Sequence, residues 1–217
     1  MKKLIVLSFI LSFNLLFAQD NISQTLFSEL NYGIYGGINF GNNSETGGSF
    51  LFEFNANLIS NLNLNLSLGY SKSYKTEAYT VKSYRTGSIN NVQYYWADQY
   101  DVNKKGYDMF PVSVGLQYVF HEQTFAPYVI GSFNYKLIDA RIYSSPGTTW
   151  TYNSFDELPN EYRTKHVEQF PDHSYGLGLG IGVIYPIFSK LNIDLRYFYE
   201  IDSEIINTHH IMVGLSL

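Results

Sequence analysis

The 217-residue chain contains no cysteine. That absence excludes a disulfide framework, a thiolate metal site and a lipid-modified N-terminal cysteine. Basic charge is scarce as well: 14 Lys and Arg stand against 19 Asp and Glu, a formal charge of −5. Such an acidic balance offers no electrostatic footprint for nucleic acid. Long apolar runs are missing apart from one near the start, at 4–17. No later stretch reaches the roughly 18 apolar residues of a helical membrane span.

The early run follows Met1-Lys2-Lys3, and a charged start with an apolar middle is the layout of a secretory signal peptide. It is shorter than the roughly 20 apolar residues an anchor needs to cross a bilayer. We read 1–18 as the signal, cleaved after Ala18, and 19–29 as a short periplasmic lead segment. Losing Lys2 and Lys3 takes the formal charge from −5 to −7. The remainder, 30–217, suits a single barrel domain.

What the remainder does have is alternation. Asn61-Leu62-Asn63-Leu64-Asn65-Leu66-Ser67-Leu68 shows it most plainly, and strand side chains point to opposite faces in turn. Eight such segments occur, at 31–41, 49–59, from 62, 107–120, 125–138, 175–185, 191–200 and 207–217. Short connections at Ser60-Asn61, 121–124 and 186–190 alternate with longer ones at 42–48, 75–106, 139–173 and 202–206. This predicts an all-β fold: an eight-stranded antiparallel up-and-down transmembrane barrel with short periplasmic turns and long outer loops. Pro111 predicts an edge-like or bulged start to the fourth strand.

Alternation alone does not say which face is outside, because a soluble ligand-binding barrel inverts the two. The polar set carries Glu53, Lys136, Asp194, Arg196 and Glu200 with many Asn, Ser and Gly, a poor solubilising coat but a fit for a small lumen. Gly176, Gly178, Gly180 and Gly182 share one face of the sixth segment. Inward glycines leave room for long side chains from elsewhere on the wall. Apolar-face aromatics gather near strand ends, with Tyr70, Tyr74, Phe110, Tyr135, Tyr175 and Tyr199 at one rim and Tyr32, Tyr118, Phe120 and Tyr185 at the other. Two such girdles mark the interfaces of a membrane. The apolar face is therefore expected to meet lipid.

The signal ending Phe17-Ala18-Gln19, the strand 110–120, the Pro127-Tyr128-Val129-Ile130-Gly131 opening and the terminal Ile211-Met212-Val213-Gly214-Leu215-Ser216-Leu217 together resemble the small bacterial outer-membrane β-barrel domain family, OmpX-like and OmpA transmembrane-domain-like. The resemblance covers about 30–217 and implies a monomer in the outer membrane. It also implies that the barrel-assembly machinery reads the last strand. Here that strand ends in Leu217, where an aromatic is usual.

Eight strands leave barely enough lumen for side chains, so Glu53, Lys136, Asp194, Arg196 and Glu200 are expected to pair as a plug rather than line a wide pore. A narrow channel or small-molecule transporter is the rival reading of the same residues. For a lipid-modifying hydrolase the candidates are His173-Ser174 and His209-His210, but adjacent strand residues face opposite sides and need partners from other strands. A secreted soluble ligand-binding barrel is the third rival. No metal-ligand spacing is present and no cofactor is implied. In the long loops Tyr84, Tyr94, Tyr95, Trp96, Tyr143, Trp150 and Tyr152 either form a candidate surface for an extracellular sugar or protein or pack on one another to rigidify the hairpins. Gly87 and Ser145-Pro146-Gly147 read as hairpin turns that would carry strands above the membrane.

Overall fold

The computed structural model describes residues 30–41, 44–59, 61–120, 125–188 and 191–217. The predicted signal and lead segments, 1–18 and 19–29, lie outside the described residues. Ten strands follow in order: β1 Leu30–Gly41, β2 Ser44–Glu45, β3 Gly47–Ile59, β4 Leu62–Ile89, β5 Val92–Val119, β6 Ala126–Ser144, β7 Thr148–Tyr152, β8 His173–Phe188, β9 Leu191–Asp202 and β10 Thr208–Ser216. One 3₁₀ turn, Asn160–Tyr162, lies between β7 and β8.

Eight of these close a ring. Neighbours run β4-β3-β1-β10-β9-β8-β6-β5, and β5 pairs back onto β4; β2 and β7 are short additions. Every pairing is antiparallel. The register fixes the shape. Stepping across the ladder from Leu30 passes Ala56, Leu64, Leu116, Gly131, Leu179, Tyr199 and His209, and arrives on β1 again at Phe40, ten residues further on. That offset over eight strands, at a rise of about 3.3 Å and a spacing of about 4.8 Å, gives a strand tilt of roughly 40°.

Alternation then sorts the side chains. Ile34, Leu68, Val114, Leu177, Leu179, Leu195 and Val213 are exposed on the outside, Leu179 by 73%. Glu53, Asn65, Gln117, Asp194 and Arg196 are buried inside, Glu53 at 1% and Arg196 at 3%. An exposed apolar surface running right round a barrel is the mark of a protein that meets lipid rather than water. Phe52 and Leu64 share that outer face but are only half-exposed, because large neighbours crowd them.

Three of the four inward glycines of β8 sit under aromatic rings, and Gly176 sits under the Glu200 carboxylate. A Cβ at Gly178 or Gly180 would fall on Phe198, and one at Gly182 on Tyr128. These rings come from β9 and β6, the strands flanking β8, so they lie sideways over the glycines rather than reaching across the lumen.

Two local expectations are corrected. Pro111 does not start a strand, since β5 runs 28 residues through it. The β4–β5 ladder instead omits the positions opposite Gly69 and Tyr70, where Pro111 has no N–H to give. The turn expected at Gly87 lies at Asn90-Asn91, whose φ values of 51° and 64° are the left-handed pair of a two-residue hairpin. As the hairpin reading expected, most of 75–106 continues β4 and β5, and 139–152 largely continues β6 and β7. Ser145-Pro146-Gly147 does join β6 to β7.

Candidate functional site

Inward parity on β1, β3, β6 and β9 brings the lumen charges together in two layers. In the layer nearer the short turns, Arg196 forms a forked pair with Glu53, Nη1 to Oε2 at 2.6 Å and Nη2 to Oε1 at 3.0 Å. Its Nε donates to Tyr128 Oη at 2.7 Å, and Nη2 lies 3.4 Å from Asp194. Asp194 accepts hydroxyl donors from Tyr128 at 2.7 Å and Tyr35 at 2.9 Å, while Asn55 donates to Glu53 at 2.9 Å. One cation thus faces two carboxylates, and phenols and amides supply the remaining donors. Buried charge is tolerable only when satisfied in this way.

The layer nearer the long loops holds Lys136, 2.9 Å from Glu200 and 2.8 Å from Asp202. Asn134 donates to Glu200 and Ser174 to Asp202. The five predicted charges are all inside, but they form two groups, Glu53, Asp194 and Arg196 in one and Lys136 and Glu200 in the other. Tyr35, Tyr128 and Asp202 complete them. The inward parity of Tyr35 and Tyr128 is readable in the sequence, whereas Asp202, expected in the 202–206 connection, joins the lumen because β9 extends to it.

Between the layers lies a cavity of about 50 Å³ lined by Ser67, Ser113, Ser132, Asn65 and the facing charges. A space this size accommodates a few waters and is far below a substrate pocket. At its upper edge Ser49 Oγ lies 3.2 Å from His210 Nδ1, a pairing between β3 and β10 that ring closure creates. Thr208 Oγ1 is 2.9 Å from the other ring nitrogen, and Glu200 stands 3.7 Å away, already bound to Lys136. Polar filling, not an exposed nucleophile, is what this arrangement supplies. His209 and His173 point outward, away from His210 and Ser174, so neither adjacent pair acts on one side of the wall. Among the described residues no group of three or more His, Asp or Glu is placed to hold a metal.

Beyond the belt, β4, β5 and β7 make a small sheet with a core of its own. Ala97, Leu158 and Tyr162 are buried together, and Tyr84, Tyr95 and Tyr152 pack against them. Tyr162 donates to Gln99 at 2.7 Å, and Lys82 pairs with Glu161 at 2.8 Å. Lower down, Lys105 holds Glu168 at 2.6 Å and Glu77 at 2.9 Å. Tyr79 donates to Glu168 at 2.7 Å, and His166 Nε2 lies 2.9 Å from it. Burial alone would raise the Glu168 carboxyl, but the hydrogen bonds from Lys105, Tyr79 and His166 outweigh it and hold the group at about 2. Burial followed by the bond to Glu168 pushes the Tyr79 phenol up to about 12.

The seven aromatics expected to form one surface are therefore divided. Tyr84, Tyr95 and Tyr152 serve the head's core. Across the sheet, Trp96 stacks with Tyr94 and takes the Arg85 guanidinium at 5.1 Å. Tyr143 sits lower, beside Tyr74 and Lys104. Trp150 remains 41% exposed, edge-on to Tyr162.

No protein-family model matches the chain, and no curated protein does. Among solved structures the chain is similar to Neisserial surface protein A, with a TM-score of 0.47 and 13% identity over 87% of this chain and 94% of that one. It is also similar to the N-terminal β-barrel domain of Pseudomonas aeruginosa OprF, at 0.44 and 12% over 87% and 96%. A third is Ail, the attachment invasion locus protein of Yersinia pestis, at 0.41 and 9% over 87% and 96%. The fold is that of a small eight-stranded transmembrane β-barrel. Its closed ladder, apolar exterior and polar filling carry that statement on their own.

Proposed function

We propose that the chain is a plugged barrel of the bacterial outer membrane that presents a rigid head for surface interaction, without enzymatic activity. The observation carrying this reading is the β4–β5 ladder, which continues past the apolar belt to Asn90-Asn91 and is buttressed there by Ala97, Leu158 and Tyr162. A disordered loop would have to be ordered on binding, whereas a cored sheet is already ordered and loses less entropy when it docks. Among the described residues β7, which carries Trp150, pairs with β5 along one edge only, and β4 beyond Lys75 has β5 as its sole strand partner. Free strand edges flanked by aromatics suit an extended protein segment added to the sheet. In this reading the barrel-assembly machinery engages β10, whose alternation runs to the end of the ring.

The test is binding of the nanodisc-embedded chain to arrays of purified extracellular proteins and of glycans. A protein ligand should be retained by the wild type and lost when 82–99 are excised and replaced by a short turn, with heat-modifiable gel mobility unchanged. Retention of glycans alone transfers the head to sugar recognition. Equal binding with and without the hairpin overturns the proposal.

A further inference from the structure

The outer belt is apolar in nearly every position, and His209 is a departure from it. The imidazole is stacked on Phe40 at 5.3 Å and against Tyr199 at 4.7 Å. Its Nδ1 lies 2.6 Å from Tyr197 Oη, which leaves Nε2 without a hydrogen-bond partner among the described residues. A polar nitrogen at the lipid boundary takes its second partner from whatever borders it there.

A groove of about 540 Å³ begins beside it. Tyr197 and Tyr199 form its upper end, Leu179 and Ile181 one part of its wall, and Leu116 and Tyr118 its lower reach. Gly131 makes the groove: it is an outward position with no side chain, and a Cβ there would meet only Leu179 at 3.6 Å and a carbonyl at 3.9 Å. From Tyr197 on β9 to Leu62 on β4 the groove crosses four inter-strand spacings, roughly 19 Å, along the tilted ladder. It therefore descends obliquely from the rim of the long loops into the bilayer.

We infer that this groove and His209 together form a binding site for one membrane lipid, with an acyl chain laid over Gly131 and a headgroup oxygen on His209 Nε2. The assignment rests on the reading of the chain as a lipid-embedded barrel. The occupant is fixed by position, since the groove lies on the apolar belt and His209 stands against its Tyr197 and Tyr199 end, at the rim where headgroup oxygens lie. Tyr197 contributes to both halves, lining the groove and orienting the imidazole.

Native mass spectrometry of the full chain, released from detergent micelles doped with palmitoyl-oleoyl phosphatidylethanolamine, tests the site. One lipid should be retained. His209→Phe keeps the ring stack but removes the nitrogen, and should lower the retained fraction about fivefold, the weight of one hydrogen bond. Gly131→Leu fills the groove without touching the lumen and should lower it by a similar factor. His173→Phe, at the same rim on another strand, should change nothing. Equal retention by wild type, H209F and G131L overturns the site. Heat-modifiable mobility on the same samples separates the two failures: a folded barrel that keeps no lipid ends this inference alone, and a chain that stays soluble without detergent ends the membrane reading with it.

Discussion

Replacing Arg196 by methionine leaves Glu53 and Asp194 facing each other with no other cation in their layer among the described residues. Breaking a buried pair by removing one partner costs about 3–5 kcal/mol. R196M should lose stability of that order in urea titrations of the barrel folded into lipid vesicles, and R196K distinctly less, because lysine keeps the charge but not the forked geometry. A loss below about 1 kcal/mol would mean that water reaches the layer and hydrates the carboxylates. At this scale much was legible. The inward parity of Glu53, Asp194 and Arg196 follows from period-two counting, and so does that of the β8 glycines. What parity does not reveal is depth: Lys136 stands on the same face but several residues up β6, so it pairs with Glu200 and Asp202 instead. The rings over Gly178 and Gly182 likewise come from flanking strands, a matter of register between strands.

The segment between β7 and β8 is anchored by burial at Leu158 and Tyr162 and, toward β8, by groups that titrate. Glu168 carries a carboxyl depressed in the folded protein to about 2, against an ordinary value near 4.5. A depressed carboxylate contributes stability that is present above its unfolded value and lost as pH falls toward the folded one. The 153–172 segment should therefore stay docked above about pH 5 and loosen between roughly pH 4.5 and 2. Hydrogen exchange or limited proteolysis would show it. The effect should be on the order of 1 kcal/mol, since the site borders solvent. In E168Q the acid-dependent loosening of this segment should disappear; its persistence would place the switch elsewhere. The extension of β4 and β5 above the belt was only partly readable. Gly87 resembled a turn residue, yet it is glycine because the Trp96 ring lies on it. The turn itself uses Asn90-Asn91, which reach positive φ without glycine.

At the scale of the whole molecule, two satisfied charge layers and a cavity of about 50 Å³ leave no continuous wide path through the ring. Planar-bilayer recordings should show no resolved openings for the wild type. If steps appear and grow in R196M, the first layer is a gate rather than a plug. Strand number, the order of the ring and the sidedness of the wall follow from the alternation, because a one-residue slip would turn every leucine of 62–68 inward. The ten-residue offset does not, since it is the sum of eight separate registers, each set by turns and by side-chain fit.

Closure joins Gly33 to Ser216, nearly opposite ends of the described chain. Until β10 arrives, β1 is a bare margin, its N–H and C=O groups facing hydrocarbon with nothing to bind, a state the bilayer penalises heavily. No partial ring is a comfortable resting point. Insertion and closure are therefore coupled in this ring, because only the meeting of its last strand with its first removes both margins.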